Sequence, residues 1–105
     1  MRYSKLFEEI LNKPGMYVGN TSIERIFAFM DGYIHADWEN KKRDNSDLYF
    51  GFQPWVIERL GLGIQKNWAN SIAFVAGSEE SAFEMTKKLW TEYKAEMQQQ
   101  SNDKN

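Results

Sequence analysis

The chain has 105 residues, a formal net charge of −2 and no cysteine, a length that accommodates one ordinary hydrophobic core and not two. Without thiols there can be no disulfide, thiolate metal ligand or cysteine nucleophile, and the slightly acidic balance supplies no global positive field to draw in nucleic acid or anionic lipid. Apolar residues at 42% and aromatics at 15% are sufficient for a domain that folds alone. No apolar run is long enough for a signal peptide or a bilayer span, so a cytoplasmic protein is expected.

The predicted fold class is all-α: one domain of four to five helices over residues 1–97, the second and last longest, followed by a polar, disordered tail at 98–105. From Ser4 to Asn12, Leu6, Phe7, Ile10 and Leu11 share one helical face. Pro14 disfavours helical geometry at Lys13, and Gly15 permits a reversal. Residues 13–20 therefore read as a compact loop whose apolar middle, Met16, Tyr17 and Val18, packs inward.

Thr21 and Glu24 then have the spacing of a capping box, in which each side chain satisfies a free backbone N–H of the other. Beyond them Ile23, Ile26, Phe27, Met30, Tyr33, Ile34 and Trp38 recur at intervals of three and four, the pattern of a long helix with a wide apolar stripe. Gly32 in its interior costs about 1 kcal/mol relative to Ala and points to a close helix crossing or a kink. Residues 40–47 are polar and read as a helix end and exposed loop. The basic run Lys41-Lys42-Arg43, flanked by Glu39, Asp44 and Asp47, suits a C-terminal helix dipole.

After Leu48-Tyr49-Phe50-Gly51-Phe52, a short helix is predicted over Gln53–Leu60, with Pro54 in its first turn and Gly61 as its stop. Residues 67–76 place Trp68, Ile72 and Val75 at helical spacing, while Ile72, Phe74 and Ala76 alternate as in a strand; helix is favoured. Gly77 ends this segment, and Ser78 caps the last helix, which carries Glu79 and Glu80 where the dipole favours anions. Its inward stripe is Ala82, Phe83, Thr86, Leu89, Trp90, Tyr93 and Met97, with Glu84 and Lys88 as an outward i,i+4 pair.

Little in this pattern speaks for catalysis. The single histidine, His35, would have to serve any serine triad or histidine-based metal site alone. Neither phosphate-binding glycine motif occurs, and Gly61-Leu62-Gly63 reads as a turn. Asp31, His35 and Glu39 do share one face of the second helix, at i, i+4 and i+8, opposite the Ile26, Met30 and Tyr33 stripe. That trio admits a solvated surface, a metal or acid–base site, or part of an acidic strip with Glu24, Asp44 and Asp47 that meets a basic partner. Tyr49, Phe50, Phe52 and Trp55 are interface aromatics by type, but a chain this small needs such side chains in its core. Stacking on single-stranded nucleic acid calls for interleaved basic residues, and only Arg59 lies near them.

Taken together, Lys13-Pro14-Gly15-Met16-Tyr17-Val18-Gly19 and Phe29-Met30-Asp31-Gly32-Tyr33 resemble a pattern in small bacterial immunity proteins, including those of contact-dependent growth inhibition and related polymorphic toxin systems. Phe52-Gln53-Pro54-Trp55-Val56, Trp68 with Ile72, and Ser78-Glu79-Glu80-Ser81-Ala82-Phe83 are similar to the same outline, which extends from about Leu6 to Met97. The resemblance implies a bacterial antitoxin-like protein that binds the C-terminal toxin domain of a cognate effector, often a nuclease, and blocks its active site or substrate path. It implies no cofactor, no catalysis, and no membrane or direct nucleic-acid contact. The matching residues look structural, so no interface residue is carried over. A nuclease toxin must attract a polyanion, and an acidic protein competes through charge complementarity and steered association. The candidate partner-binding residues are accordingly Glu24, Asp31, His35, Glu39, Asp44 and Asp47. The alternative is a small regulatory or adaptor domain that binds another protein or a peptide.

Overall fold

The computed structural model describes residues 3–40, 47–63 and 67–103, with side chains for residues 3–37, 48, 51–63 and 67–100. Among them there are six α-helices and no strand. The first, α1 (Ser4–Asn12), buries Phe7, Ile10 and Leu11. Pro14 then opens a single helical turn, α2 (Pro14–Tyr17), where a loop was expected; this accounts for the sixth helix. The apolar middle of this segment does not pack inward as a unit. Tyr17 and Val18 are half-buried, but Met16 is 77% exposed. A single turn lying against the protein shows it only one side, and Met16 is rotated about 100° from Tyr17.

The long helix α3 spans Ile23–Asn40, and its cap is Ser22 rather than Thr21. Ser22 Oγ accepts from the Arg25 N–H at 3.3 Å, and the Ser22 N–H donates to Asn20 Oδ1 at 2.9 Å. The Thr21–Glu24 capping box does not form in this register: with Ser22 as cap, Arg25 occupies the place a box reserves for Glu or Gln. The register puts Ile23, Ile26, Met30 and Ile34 in the core. Tyr33, assigned to the same stripe by its spacing, is 49% exposed. No described helix crosses closely at Gly32: α3 runs through it, and a Cβ there would meet no atom within 4 Å.

Residues 41–46, with Lys41-Lys42-Arg43, lie outside the described residues. A π-helical turn, Asp47–Phe52, leads into α4 (Gln53–Leu60), which closes on Gly61 in the left-handed region at φ 66°. The segment with ambiguous periodicity is helical, α5 (Trp68–Ala76). Trp68, Ala69 and Ile72 are buried while Phe74 and Val75 face outward at 66% and 43% exposure, a spacing no half-buried strand would give. Two side chains satisfy its first N–H groups: Asn67 Oδ1 accepts from Asn70 at 2.7 Å, and Gln53 Oε1, from the start of α4, accepts from Trp68 at 2.9 Å. Ser78 Oγ caps α6 (Glu79–Asp103) by accepting from Ser81 N–H at 3.1 Å. Along α6, Ala82, Phe83, Thr86, Leu89, Trp90 and Tyr93 are buried. Glu84 pairs with Lys87 at 3.7 Å instead of Lys88. The helix continues past Met97 to Asp103; the glutamines there are good helix formers and extend it without needing a packed face.

The helices meet in an aromatic centre. Phe7 of α1, Phe52 of the π-helical turn, Trp68 of α5 and Trp90 of α6 are each at most 3% exposed. Their ring centroids are 4.9 Å apart for Phe7–Trp90, 5.3 Å for Phe7–Trp68 and 5.1 Å for Phe52–Trp90. Around it, four aromatic polar ends are tied to carboxylates. Tyr3 donates to Asp37 at 2.7 Å, Tyr17 to Glu9 at 3.0 Å, Trp55 to Glu96 at 3.0 Å and Trp90 to Glu8 at 2.9 Å. Burial works to raise the Glu8 carboxyl, but the hydrogen bonds from Lys94 and Trp90, with the Lys94 charge, outweigh it and hold its pKa below the ordinary 4.5.

Two consequences are measurable. Gly32→Ala, in an open helical position, should raise stability by about 0.5–1 kcal/mol, whereas Gly61→Ala, at positive φ, should lower it by about 1 kcal/mol; the shifts in urea midpoint read both. Because the folded-state pKa of Glu8 is depressed, its stabilising contribution is complete above 4.5 and is lost as pH falls through the folded value. Glu8→Gln should therefore destabilise the protein at neutral pH, and the gap between variant and wild type should narrow on acidification below that range. A gap that is constant in pH would show that the Glu8 charge contributes nothing.

Candidate acidic recognition surface

Helix α3 positions the candidate residues. Glu24 is exposed in its first turn and Asp31 is half-buried seven residues on, about 10 Å further along the same side. His35 follows one turn later. Its Nδ1 lies 2.8 Å from the Asp31 carbonyl oxygen, which can only accept, so Nδ1 carries a proton and donates back along the helix. The same nitrogen is 3.5 Å from Asp31 Oδ1. The imidazole is thus oriented by its own helix, with Nε2 directed away. The side chains of Glu39 and Asp47, and all of Asp44, lie outside the described residues.

The fold adds carboxylates that sequence spacing did not place here. The beginnings of α3 and α6 come together, so that Glu24 and Glu79, 55 positions apart in the chain, line one shallow cleft whose apolar walls are Ile23, Ala73 and Ala82. A neighbouring recess is lined by Thr21, Glu80, Phe83 and Glu84. Read along the chain, Glu79 and Glu80 were only favourable charges at a helix start; nothing local marks their proximity to Glu24.

Four other carboxylates are committed elsewhere. Glu8, Glu9, Asp37 and Glu96 accept hydrogen bonds from Trp90, Tyr17, Tyr3 and Trp55. The acceptor role of Glu9 raises the Tyr17 phenol above its ordinary pKa of 10.0. The described acids therefore differ in role: Glu8, Glu9, Asp37 and Glu96 anchor aromatic polar ends, Glu84 and Glu92 pair with Lys87 and Arg59, and Glu24, Glu79 and Glu80 are exposed where α3 and α6 begin, with Asp31 beside His35 further along α3.

The aromatic group near residue 50 divides as well. Phe52 is fully buried, and Trp55 is half-buried between Phe52 and Tyr93, with ring centroids 6.3 and 5.6 Å away. The side chains of Tyr49 and Phe50 lie outside the described residues. Exposed large apolar side chains occur instead at Met16, Phe29, Tyr33, Phe74 and Val75.

A cleft with apolar walls and a carboxylate rim accommodates the aliphatic stem and cationic head of a lysine or arginine. Among the described residues, no three His, Asp or Glu side chains converge as metal ligands, and no helix is long and apolar enough to cross a membrane. No protein-family model matches the chain, and neither does any curated protein or solved structure.

His35 is exposed, and its ring contacts the carbonyl and carboxylate of Asp31 on its own helix. His35→Ala should accordingly change stability by less than about 0.5 kcal/mol, read from thermal unfolding. A larger loss would give the ring a structural role.

Proposed function

We propose that this chain is an immunity-type protein that neutralises a cognate toxin domain, a basic nuclease, by stoichiometric binding and without catalysis of its own. The observation that carries the reading is the outward acidic surface where α3 and α6 begin, with Glu24 and Glu79 at the rim of one cleft, Glu80 lining a recess with Thr21, and Asp31 further along α3. Glu24, Glu79 and Glu80 are exposed and set the local field there. A nuclease domain, whose surface must attract nucleic acid, is the complementary partner. The sequence likeness to immunity proteins around residues 13–19 and 29–33 supports the same reading.

The supporting scaffold is consistent with this role. Rigid helices present the acidic groups in fixed positions, which reduces the ordering cost of association. Charge at the rim of an interface acts mainly on the encounter rate and its salt dependence, while apolar contacts hold the complex once formed. The working compartment proposed is the cytoplasm, where a nuclease toxin would meet its substrate.

A second reading, an adaptor domain for a peptide or another protein, is favoured by the groove between α4 and α6. Leu60, Met85 and Leu89 line it, and Arg59 and Glu92 bridge it at 3.3 Å. Such a groove admits one or two apolar side chains of an extended segment.

Co-expression with the product of the neighbouring reading frame separates the two readings. An immunity protein co-purifies with that product in a fixed ratio and restores growth to cells expressing it. Glu24→Gln, Asp31→Asn and Glu79→Gln combined should slow association about tenfold at low salt and flatten its ionic-strength dependence, leaving the dissociation rate nearly unchanged. An association rate that is insensitive to both the substitutions and salt would remove this surface from the interface.

A further inference from the structure

We infer that the outward face of α3 is a docking groove for a basic amphipathic helix of the partner; the inference rests on the immunity reading above and specifies how the complex is held. At 100° per residue, Ala28, Gly32 and Ala36 follow one another along the middle of this face. All three are exposed, and a Cβ at Gly32 would meet nothing within 4 Å. The two flanks differ in chemistry. On one stand Glu24, Asp31 and His35; on the other stand Phe29 and Tyr33, at 37% and 49% exposure.

The aromatic flank is held in place from below. Phe29 meets the Tyr17 ring edge-on with centroids 6.0 Å apart, and Tyr33 meets the Tyr3 ring edge-on at the same separation. Tyr3 and Tyr17 are themselves fixed through their hydroxyls to Asp37 and Glu9. Met16, the residue before Tyr17, presents the most exposed large apolar side chain among those described, at 77%. Arg25, the cation on this face, turns its guanidinium back to the Val18 carbonyl at 3.3 Å. The groove therefore has a low floor, a rigid apolar wall and an anionic wall.

That asymmetry selects the occupant. A low floor along a straight helix admits the closest approach to another helix, whose ridge lies between the two walls. Apolar residues spaced three and four apart on that helix would cover Phe29, Tyr33 and Met16, and lysines or arginines on its other flank would face Glu24 and Asp31. An acidic helix satisfies the apolar wall and not the anionic one. The acidic cleft of Glu24 and Glu79 continues this anionic wall at one end, so the two features form one surface.

Gly32 provides a test that does not disturb the fold, because space above it is open. With the neighbouring-frame toxin domain as the probe, Gly32→Trp, which fills the floor, should raise Kd at least thirtyfold. Thermal unfolding verifies that the variant is folded. Phe29→Ala with Tyr33→Ala should accelerate dissociation, while the charge variants act on association. Hydrogen exchange on the toxin should show protection over a helix bearing basic residues on one flank. If Gly32→Trp binds like wild type, or the protected segment is a strand or loop, the groove is wrong and the immunity reading stands. If the wild-type protein does not bind that toxin at all, both fail.

Discussion

The contact on which the rest of the structure depends is the packing of Phe7, Phe52, Trp68 and Trp90 at the centre of the molecule. Each ring comes from a different element, so none of these four elements can be displaced without opening the same space. Aromatic pairs in such geometry contribute about 0.5–1.5 kcal/mol each beyond the area they bury, which matters in a chain with room for only one core. The π-helical turn belongs to this constraint: it delivers Leu48 and Phe52, both at most 1% exposed, and leads directly into α4. Gln53 then ties the start of α4 to the start of α5 through the Trp68 N–H, so the residue after one central ring fixes the backbone of another.

Large aromatic side chains solve the problem of a small core but bring polar atoms with them. Tyr3, Tyr17, Trp55 and Trp90 carry theirs to the edge of the core, where Asp37, Glu9, Glu96 and Glu8 receive them. These hydrogen bonds to charged acceptors are stronger than neutral ones, and each joins elements distant in the chain or fixes a short turn against its neighbour. The same arrangement assigns four of the fifteen acidic residues to structure. Glu24, Glu79 and Glu80, outward at the starts of α3 and α6, are a localised set, and they coincide with helix N-termini, where the backbone dipole lowers the cost of gathering carboxylates together.

Much of the architecture was legible because it rests on local chemistry. The apolar spacing of Phe7, Ile10 and Leu11 dictated α1, Gly61 and Gly77 marked the ends of α4 and α5, and Ser78 marked the start of α6 as observed. The cap of α3 was misplaced by one residue because Thr21 and Ser22 are equally good acceptors, and only the burial of Ile23 and Ile26 decides between them. Met16 and Tyr33 were read as inward because periodicity reports a residue's angle on its own helix and not how wide a sector its neighbours cover. On the candidate surface, Glu24, Asp31 and His35 followed from one helix's spacing. Glu79 could not, since its proximity to Glu24 is created by packing across 55 positions.

Net charge is therefore a poor measure of what this molecule presents to a partner. The total of −2 averages an outward acidic group on α3 and early α6 with cations further along α6, where Lys87 pairs with Glu84 and Lys94 with Glu8. Charges already paired within the protein are screened by one another, and within a Debye length of about 8–10 Å an approaching partner responds to the unpaired group nearest it. Glu24 and Glu79 line one cleft where two helices begin, and so act as one feature. Under the proposed function, a modestly acidic chain would in this way attract a basic partner in a single orientation, and the apolar edge of α3 would hold what the charges bring in.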